Sequence, residues 1–226
     1  MCIRDRYSSR WRDFFGYGQV KTELRTSLPV HPYVSTRFVG DTRRSIGAAL
    51  PQYLSESSVI LGLGLATRNW HGAMAWGEAG SSFQYLTRHM VPDYRGGVSF
   101  LHNFGRALGS DWPGWFFEPA ADLVYVSRFD HGILVYSQNR VGYTPDFERV
   151  QTQFFWNLNF TMDQKRQAWA NFAEFGPGVR FRWRSLPPGL FFTFSAMRGA
   201  YTLDQGGARA PYFSDFRAGF WYAVTH

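Results

Sequence analysis

Arg180, Arg182 and Arg184 alternate along one short segment, with Glu174 at the same parity just upstream. In an extended strand, residues two apart point to the same side. All four would then share one face. Three guanidinium groups in a row repel and require water, carboxylate partners or an anionic guest. Two arrangements meet that need: arginine–carboxylate ladders bracing a polar wall, or a lining that guides a sugar polymer past charged and aromatic surfaces. Lys21, Arg25, Arg37 and Arg95 would join the same lining, balanced by Glu23, Glu78 and Glu174.

Other chemistry-bearing residues form no comparable pattern. His31, His71, His89, His102, His131 and His226 are scattered, and none has a ligand spacing such as HExxH. They read as isolated loop or strand residues, and no metal is expected. Gly62-Leu63-Gly64 lacks the third glycine and the following helix of a dinucleotide loop, so no cofactor is expected. Ser137-Gln138-Asn139 partly resembles the serine and asparagine of outer-membrane phospholipases. A nucleophilic serine needs a histidine in reach, and no matching His-x-Ser-Asn-Gly string exists. No catalytic residue is assigned and no enzyme is expected. Arginines interleaved with aromatics could stack on single-stranded nucleic acid. Here the two residue types separate by parity, so a two-faced wall explains them better and no nucleic-acid partner is expected.

The elements that must position these residues are strands. From Val150 to Met162, Val150, Thr152, Phe154, Trp156, Leu158, Phe160 and Met162 share one face, while Gln151, Gln153, Phe155, Asn157 and Asn159 share the other. Period-two sorting of this kind marks a strand. Ala168 to Arg184 repeats it, with Trp169, Ala173, Phe175, Val179, Phe181 and Trp183 opposite Glu174 and the arginines. The short polar link Asp163 to Arg166 makes the two an antiparallel hairpin, and Ser185 to Gly189 is the next turn. Further candidates are Phe14 to Thr26, Tyr33 to Gly40, Val59 to Ala66, Trp70 to Ala79, Tyr94 to Phe104, Phe116 to Ser127, Ile133 to Gly142, Leu190 to Ala200 and Phe216 to Val224. Each is about the length that crosses a bilayer at a tilt.

Composition narrows the setting of these strands. Aromatics make up 19% of the 226 residues and charged residues only 18%, against about 25% charged in ordinary soluble domains. The formal net charge is +7, and of the 24 basic residues only Lys21 and Lys165 are lysine. The single cysteine, Cys2, excludes a disulfide scaffold or a multi-cysteine metal site. No apolar run of about 18 residues is present, so no transmembrane helix is available. Met1 to Arg12, with Arg4, Arg6, Arg10 and Arg12, carries no signal-peptide core. Residues 1–12 are expected to be a non-native or disordered remnant, and residues 13–226 the folded domain.

Alternation fits both a soluble sandwich and a membrane barrel. Three features favour the membrane. Aromatics recur near strand ends, as at Phe14, Phe15 and Tyr17, at Trp112, Trp115 and Phe116, and at Trp221 and Tyr222. The polar faces are rich in long Arg, Gln and Glu side chains. The last candidate strand alternates Phe216, Ala218, Phe220, Tyr222 and Val224. The expectation is an all-β, antiparallel up-and-down transmembrane barrel of about 10–12 strands, either closed or part of a longer protein's barrel. A soluble β-rich carbohydrate-binding module is the alternative.

Several phrases sharpen this expectation: Tyr33-Val34-Ser35-Thr36-Arg37-Phe38-Val39-Gly40-Asp41-Thr42-Arg43, Tyr53-Leu54-Ser55-Glu56-Ser57-Ser58, Trp70-His71-Gly72 through Glu78-Ala79-Gly80, Asp93-Tyr94-Arg95-Gly96-Gly97-Val98, and Tyr125-Val126-Ser127-Arg128-Phe129-Asp130 through Gln138-Asn139-Arg140-Val141-Gly142-Tyr143. Together they resemble the C-terminal barrel domain of the bacteriophage adsorption protein A family (the NfrA type). The resemblance implies a bacterial outer-membrane location and a periplasmic helical-repeat region outside this chain. It further implies roles in exopolysaccharide export and phage attachment. The partners it implies are outer-membrane lipid, an exported polysaccharide, a phage tail protein and an inner-membrane glycosyltransferase. On that basis Ser81 to Asp93, Gly105 to Pro113 and Thr202 to Ser214 are expected as long loops on one membrane side. The turns at Asp163 to Arg166 and Pro187 to Gly189 are expected on the other.

Overall fold

The computed structural model describes residues 2–24, 26–42, 57–106, 113–147, 149–167, 170–187, 189–203 and 210–223. Thirteen strands form one antiparallel sheet. They are β1 (Cys2–Ser8), β2 (Asp13–Glu23), β3 (Val30–Asp41), β4 (Ser58–Thr67), β5 (Ala73–Gln84), β6 (Met90–Leu101), β7 (Phe104–Gly105), β8 (Gly114–Val126), β9 (Gly132–Thr144), β10 (Val150–Asp163), β11 (Phe172–Trp183), β12 (Leu190–Tyr201) and β13 (Tyr212–Ala223). Neighbours in sequence pair with one another around the ring. β7 is a two-residue spur on β8, while β6 pairs directly with β8 from Arg95↔Val126 to Leu101↔Ala120. The remaining twelve strands therefore close on themselves. Closure leaves no unpaired edge in the hydrocarbon, the condition for β-structure to span a bilayer.

Closure depends on a segment expected to lie outside the fold. Cys2–Ser8 pairs with β13 from Cys2↔Ala223 to Ser8↔Arg217, and with β2 from Cys2↔Gln19 to Ser8↔Asp13. The barrel thus includes residues assigned to a remnant at positions 1–12. The strand occupies seven residues, too few for period two to stand out, and its pairing partners lie at opposite ends of the chain.

In an up-and-down ring, consecutive connections must alternate between the two rims. Of the described residues, the upper rim carries 9–12, 42, 57, 85–89, 127–131, 164–167, 170–171, 202–203 and 210–211. The lower rim carries 24, 26–29, 68–72, 102–106, 113, 145–147, 149, 184–187 and 189, and is where β1 begins and β13 ends. This corrects the expected sidedness. Gly105 to Pro113 lies one strand after the β5–β6 connection and so opens at the opposite rim; residues 107–112 of it lie outside the described residues, as do 204–209 of Thr202 to Ser214. The turn at Asp163 to Arg166 is at the upper rim and Pro187 to Gly189 at the lower. Ser81 to Asp93 is mostly strand, with only 85–89 forming the turn.

The two faces of the wall are chemically opposite. Outside, Leu63 is 67% exposed, Leu158 59%, Trp156 56% and Phe175 54%. Phe38, Leu61, Leu65, Val98, Leu123, Val141 and Phe154 extend the same surface. Trp115, Tyr143 and Trp183 lie on it near the lower rim, and Phe14, Tyr94, Tyr212 and Phe216 near the upper. Inside, Ser35, Arg37, Glu78, Asp93, Gln153, Asn157, Asn159, Glu174, Arg180 and Asp215 are buried. A soluble module would place these sets the other way round, since a soluble surface rarely exposes contiguous apolar area of this extent. The carbohydrate-binding module is therefore excluded.

Two glycines on the inner face of β4 make room for the polar interior. A Cβ at Gly62 would collide with the Glu78 carboxyl group, and one at Gly64 with the Tyr33 ring. Gly62→Val is expected to push Glu78 out of its place and to cost about 1–3 kcal/mol, the usual scale for overpacking. The check is the midpoint of urea unfolding from lipid vesicles, with Gly40→Val, where a Cβ would meet nothing within 4 Å, as control.

Candidate functional site: the charged lumen

Five carboxylates organise the described inner wall. Glu78 on β5 accepts from Ser35 Oγ at 2.7 Å and from Arg37 Nη2 at 2.7 Å, both on β3. Asp93 on β6 is gripped by Arg95 through Nε at 2.9 Å and Nη2 at 2.7 Å, and by Arg128 Nε at 2.8 Å from the β8–β9 connection. Glu118 on β8 bridges Arg140 on β9 and Arg180 on β11, the latter at 3.2 Å. Glu174 on β11 receives both terminal nitrogens of Arg217 on β13 at 2.6 and 2.5 Å, and Asn159 Nδ2 at 2.8 Å. Arg217 reaches back to Asp215 at 2.7 Å, and Asp215 accepts from Ser8 Oγ at 2.8 Å. That last bond ties β1 to the interior.

Amides and rings complete the ladders. Gln153 accepts from Arg180 Nε at 3.0 Å and Nη2 at 2.5 Å, and Gln138 accepts from Arg140 at 2.7 Å. Arg140 lies 5.5 Å from the Phe155 ring centroid and Arg180 5.5 Å from that of Phe191. Charged hydrogen bonds are stronger than neutral ones, and paired donors fix direction as well as energy. The ladders therefore make the lumen rigid as well as charged.

The predicted lining residues divide by their surroundings. Arg37, Glu78, Arg95, Glu174 and Arg180 belong to the ladders just described. Arg182 faces inward and donates to Gln151 on β10. Lys21 and Glu23 share the inner parity of β2, 3.3 Å apart, with Lys21 Nζ 4.0 Å from the Tyr33 ring centroid. Arg184 departs from expectation. β11 ends at Trp183, and Arg184 lies in the following turn at the lower rim, exposed, 3.8 Å from Asp146. Parity has no meaning once a strand ends. Arg25 lies outside the described residues.

Sequence reasoning missed Asp93, Glu118, Arg128, Arg140, Asp215 and Arg217. Asp93, Glu118, Arg140, Asp215 and Arg217 share the inner parity of their strands, which was the available signal. Arg128 sits in a connection, where no periodicity points to it. Ser137, considered as a nucleophile, is on the outer parity and receives Asn139 Nδ2 at 3.0 Å. His131 lies at the upper rim, its Nδ1 2.7 Å from Tyr125 Oη. Also at that rim, Lys165 sits 2.8 Å from Asp130, and its hydrogen bond holds that carboxyl below the ordinary range.

Among the described residues, the inner wall lines at least two spaces. The larger, about 470 Å³, sits under the β1–β2 turn and is lined by strands from nearly all around the ring, including Arg37, Arg95, Tyr136, Glu174 and Arg217. The smaller, about 80 Å³, lies deeper and is lined by Gln138, Asn157, Asn159, Thr193 and Ser195, among others. Arg6, Arg217 and Trp221 border both. Arginines and aromatic rings border both spaces, and the lower one adds the amides of Gln138, Asn157 and Asn159.

No protein-family model matches the chain, and no curated protein matches it. Solved structures similar in fold include LpxR from Salmonella typhimurium (7% identity, TM-score 0.45), over 99% of this chain and 100% of that one. The beta domain of the Bordetella autotransporter BrkA is similar at 14% identity and TM-score 0.35, over 99% and 96%. The NanC porin is similar at 8% identity and TM-score 0.36, over 99% of each. The chain's own geometry is what places it. An even-stranded closed antiparallel ring, with a lipid-compatible exterior, aromatic rims and a charged lumen, is a transmembrane β-barrel of the bacterial outer membrane.

Proposed function

We propose that this barrel is a passive channel favouring small anionic solutes, including acidic carbohydrate. The observation that carries this reading is the upper chamber, whose lining holds five arginines and two carboxylates; with Glu78 and Asp93, which pair with Arg37 and Arg95, arginine outnumbers carboxylate five to four. A cleft with a surplus of one sign and low-dielectric walls attracts the opposite charge. The resemblance to the phage-adsorption family adds two roles: passage of an exported polysaccharide, and an upper rim that serves as a phage-tail attachment surface.

Reconstitution in planar bilayers tests the channel reading. Discrete conductance steps are expected, and a salt gradient should give a reversal potential of anion-selective sign. Neutralising Arg37 and Arg95 together should move that potential toward zero. A wall that inserts but passes no current, or that prefers cations, refutes the reading.

A further inference from the structure

We propose that the upper chamber is a binding site for a monosaccharide bearing a carboxylate, of the hexuronate class, rather than a featureless part of the passage. The inference deepens the channel reading and rests on it for its biological sense. Three independent features of the walls define the ligand. A volume of about 470 Å³ suits one small organic molecule.

Charge is the first feature. Arg6, Arg10, Arg37 and Arg217 border the space from the neighbouring strands β13 to β3 and Arg95 from β6, and the carboxylates among them, Glu174 and Asp215, are both held by Arg217. A guanidinium fork matches a carboxylate in shape as well as charge. Arg37 and Arg95 are paired with Glu78 and Asp93 on the same inner face, which fixes their direction.

Aromatic surface is the second. Trp11, Phe15, Tyr17, Tyr136, Phe172 and Trp221 share the lining. Arg10 is enclosed by rings, 3.7 Å from the Phe213 centroid and 4.6 Å from those of Trp11 and Phe172. Flat apolar faces beside fixed polar groups suit the C–H face of a pyranose and not a bare inorganic anion.

Unmet hydrogen bonds are the third. Trp221 Nε1, on the border of both spaces, is buried with no hydrogen-bond partner. Thr161 Oγ1 in the upper lining and Asn159 Oδ1 in the lower are in the same state. A buried polar group is costly to leave unpaired, so each such group calls for an occupant. One donor, one acceptor and one hydroxyl around a junction match a ligand rich in hydroxyl groups. The carboxylate would face the upper arginines, and the hydroxyls would face Trp221 and the amide-lined end.

The full chain folded in detergent micelles provides the test, by calorimetry and by tryptophan fluorescence, since Trp11 and Trp221 line the site. Galacturonate is expected to titrate saturably, with galactose and acetate each at least tenfold weaker. Arg6→Gln should weaken galacturonate about tenfold while leaving the strand signal in circular dichroism unchanged. Trp221→Phe, which keeps the ring and removes the donor, should weaken it several-fold and serves if Arg6→Gln does not fold. Acetate binding as tightly as galacturonate would mean a simple anion hole, and galactose binding as tightly would mean a neutral-sugar site; either overturns the proposal. So would the absence of saturable binding, or unchanged affinity in both folded variants. Binding without conductance would leave this site standing and remove the channel reading; conductance without binding would do the reverse.

Discussion

Leu63→Arg is expected to destabilise the inserted barrel by about 2–4 kcal/mol, the cost of an arginine on the lipid face near the bilayer midplane. Leu63 lies mid-strand on β4, opposite Val34 on β3 and Ala79 on β5, and is 67% exposed. In a soluble protein an exposed leucine exchanged for arginine would change stability little. In lipid the same exposure means contact with acyl chains, and the guanidinium has neither water nor a carboxylate within reach. Phe154→Arg on β10 and Phe181→Arg on β11 should behave similarly, with Phe181 cheaper because it lies nearer the lower rim. Reversible urea unfolding from lipid vesicles gives the comparison. The inward-facing Asn157→Asp is the control and should leave insertion intact. Tolerance of arginine at Leu63 and Phe154, with loss of insertion at Asn157, would overturn the assignment of inside and outside.

The second large effect belongs to Glu118. This carboxylate joins Arg140 and Arg180, whose other partners include the amide oxygens of Gln138, Asn157 and Gln153. Removing one member of a buried ion pair strands the remaining charge, typically at about 3–5 kcal/mol. Glu118→Gln leaves two facing guanidinium groups without the carboxylate between them. Its cost should approach that range, reduced by whatever water the lumen admits. The double variant Glu118→Gln with Arg180→Gln should recover much of the loss, because it removes a stranded charge together with its partner. A double-mutant cycle on unfolding free energy reads the coupling directly. If the single and double variants are equally destabilised, the ladder is not what holds β8, β9 and β11 in place.

The wall's two faces were legible in the chain, because a strand alternates its side chains whatever the sheet around it does. Val150 to Met162 displayed its lipid-facing and lumen-facing sets before any fold was known, and Arg180, Arg182 and Glu174 announced a charged surface. Turn signals marked the connections at Asp163 to Arg166 and Ser185 to Gly189, and eleven of the twelve ring strands were recognisable. What periodicity lacks is any term for distance across the ring. Glu118 and Arg180 are 62 positions apart, and Ser8 and Asp215 are 207 apart, so no local pattern joins them.

Sequence alone determined that this protein is built of strands with one greasy and one charged face, since side-chain direction in an extended backbone depends only on parity. The tertiary structure decided which face turns inward, because alternation is the same in a sandwich and in a barrel and only the sheet's curvature separates them. It also decided that the arginine-rich start of the chain is the closing strand, which depends on β2 and β13 being brought to either side of it. Finally, it decided which arginine meets which carboxylate, because those partners sit on different strands and only the closed ring brings them together.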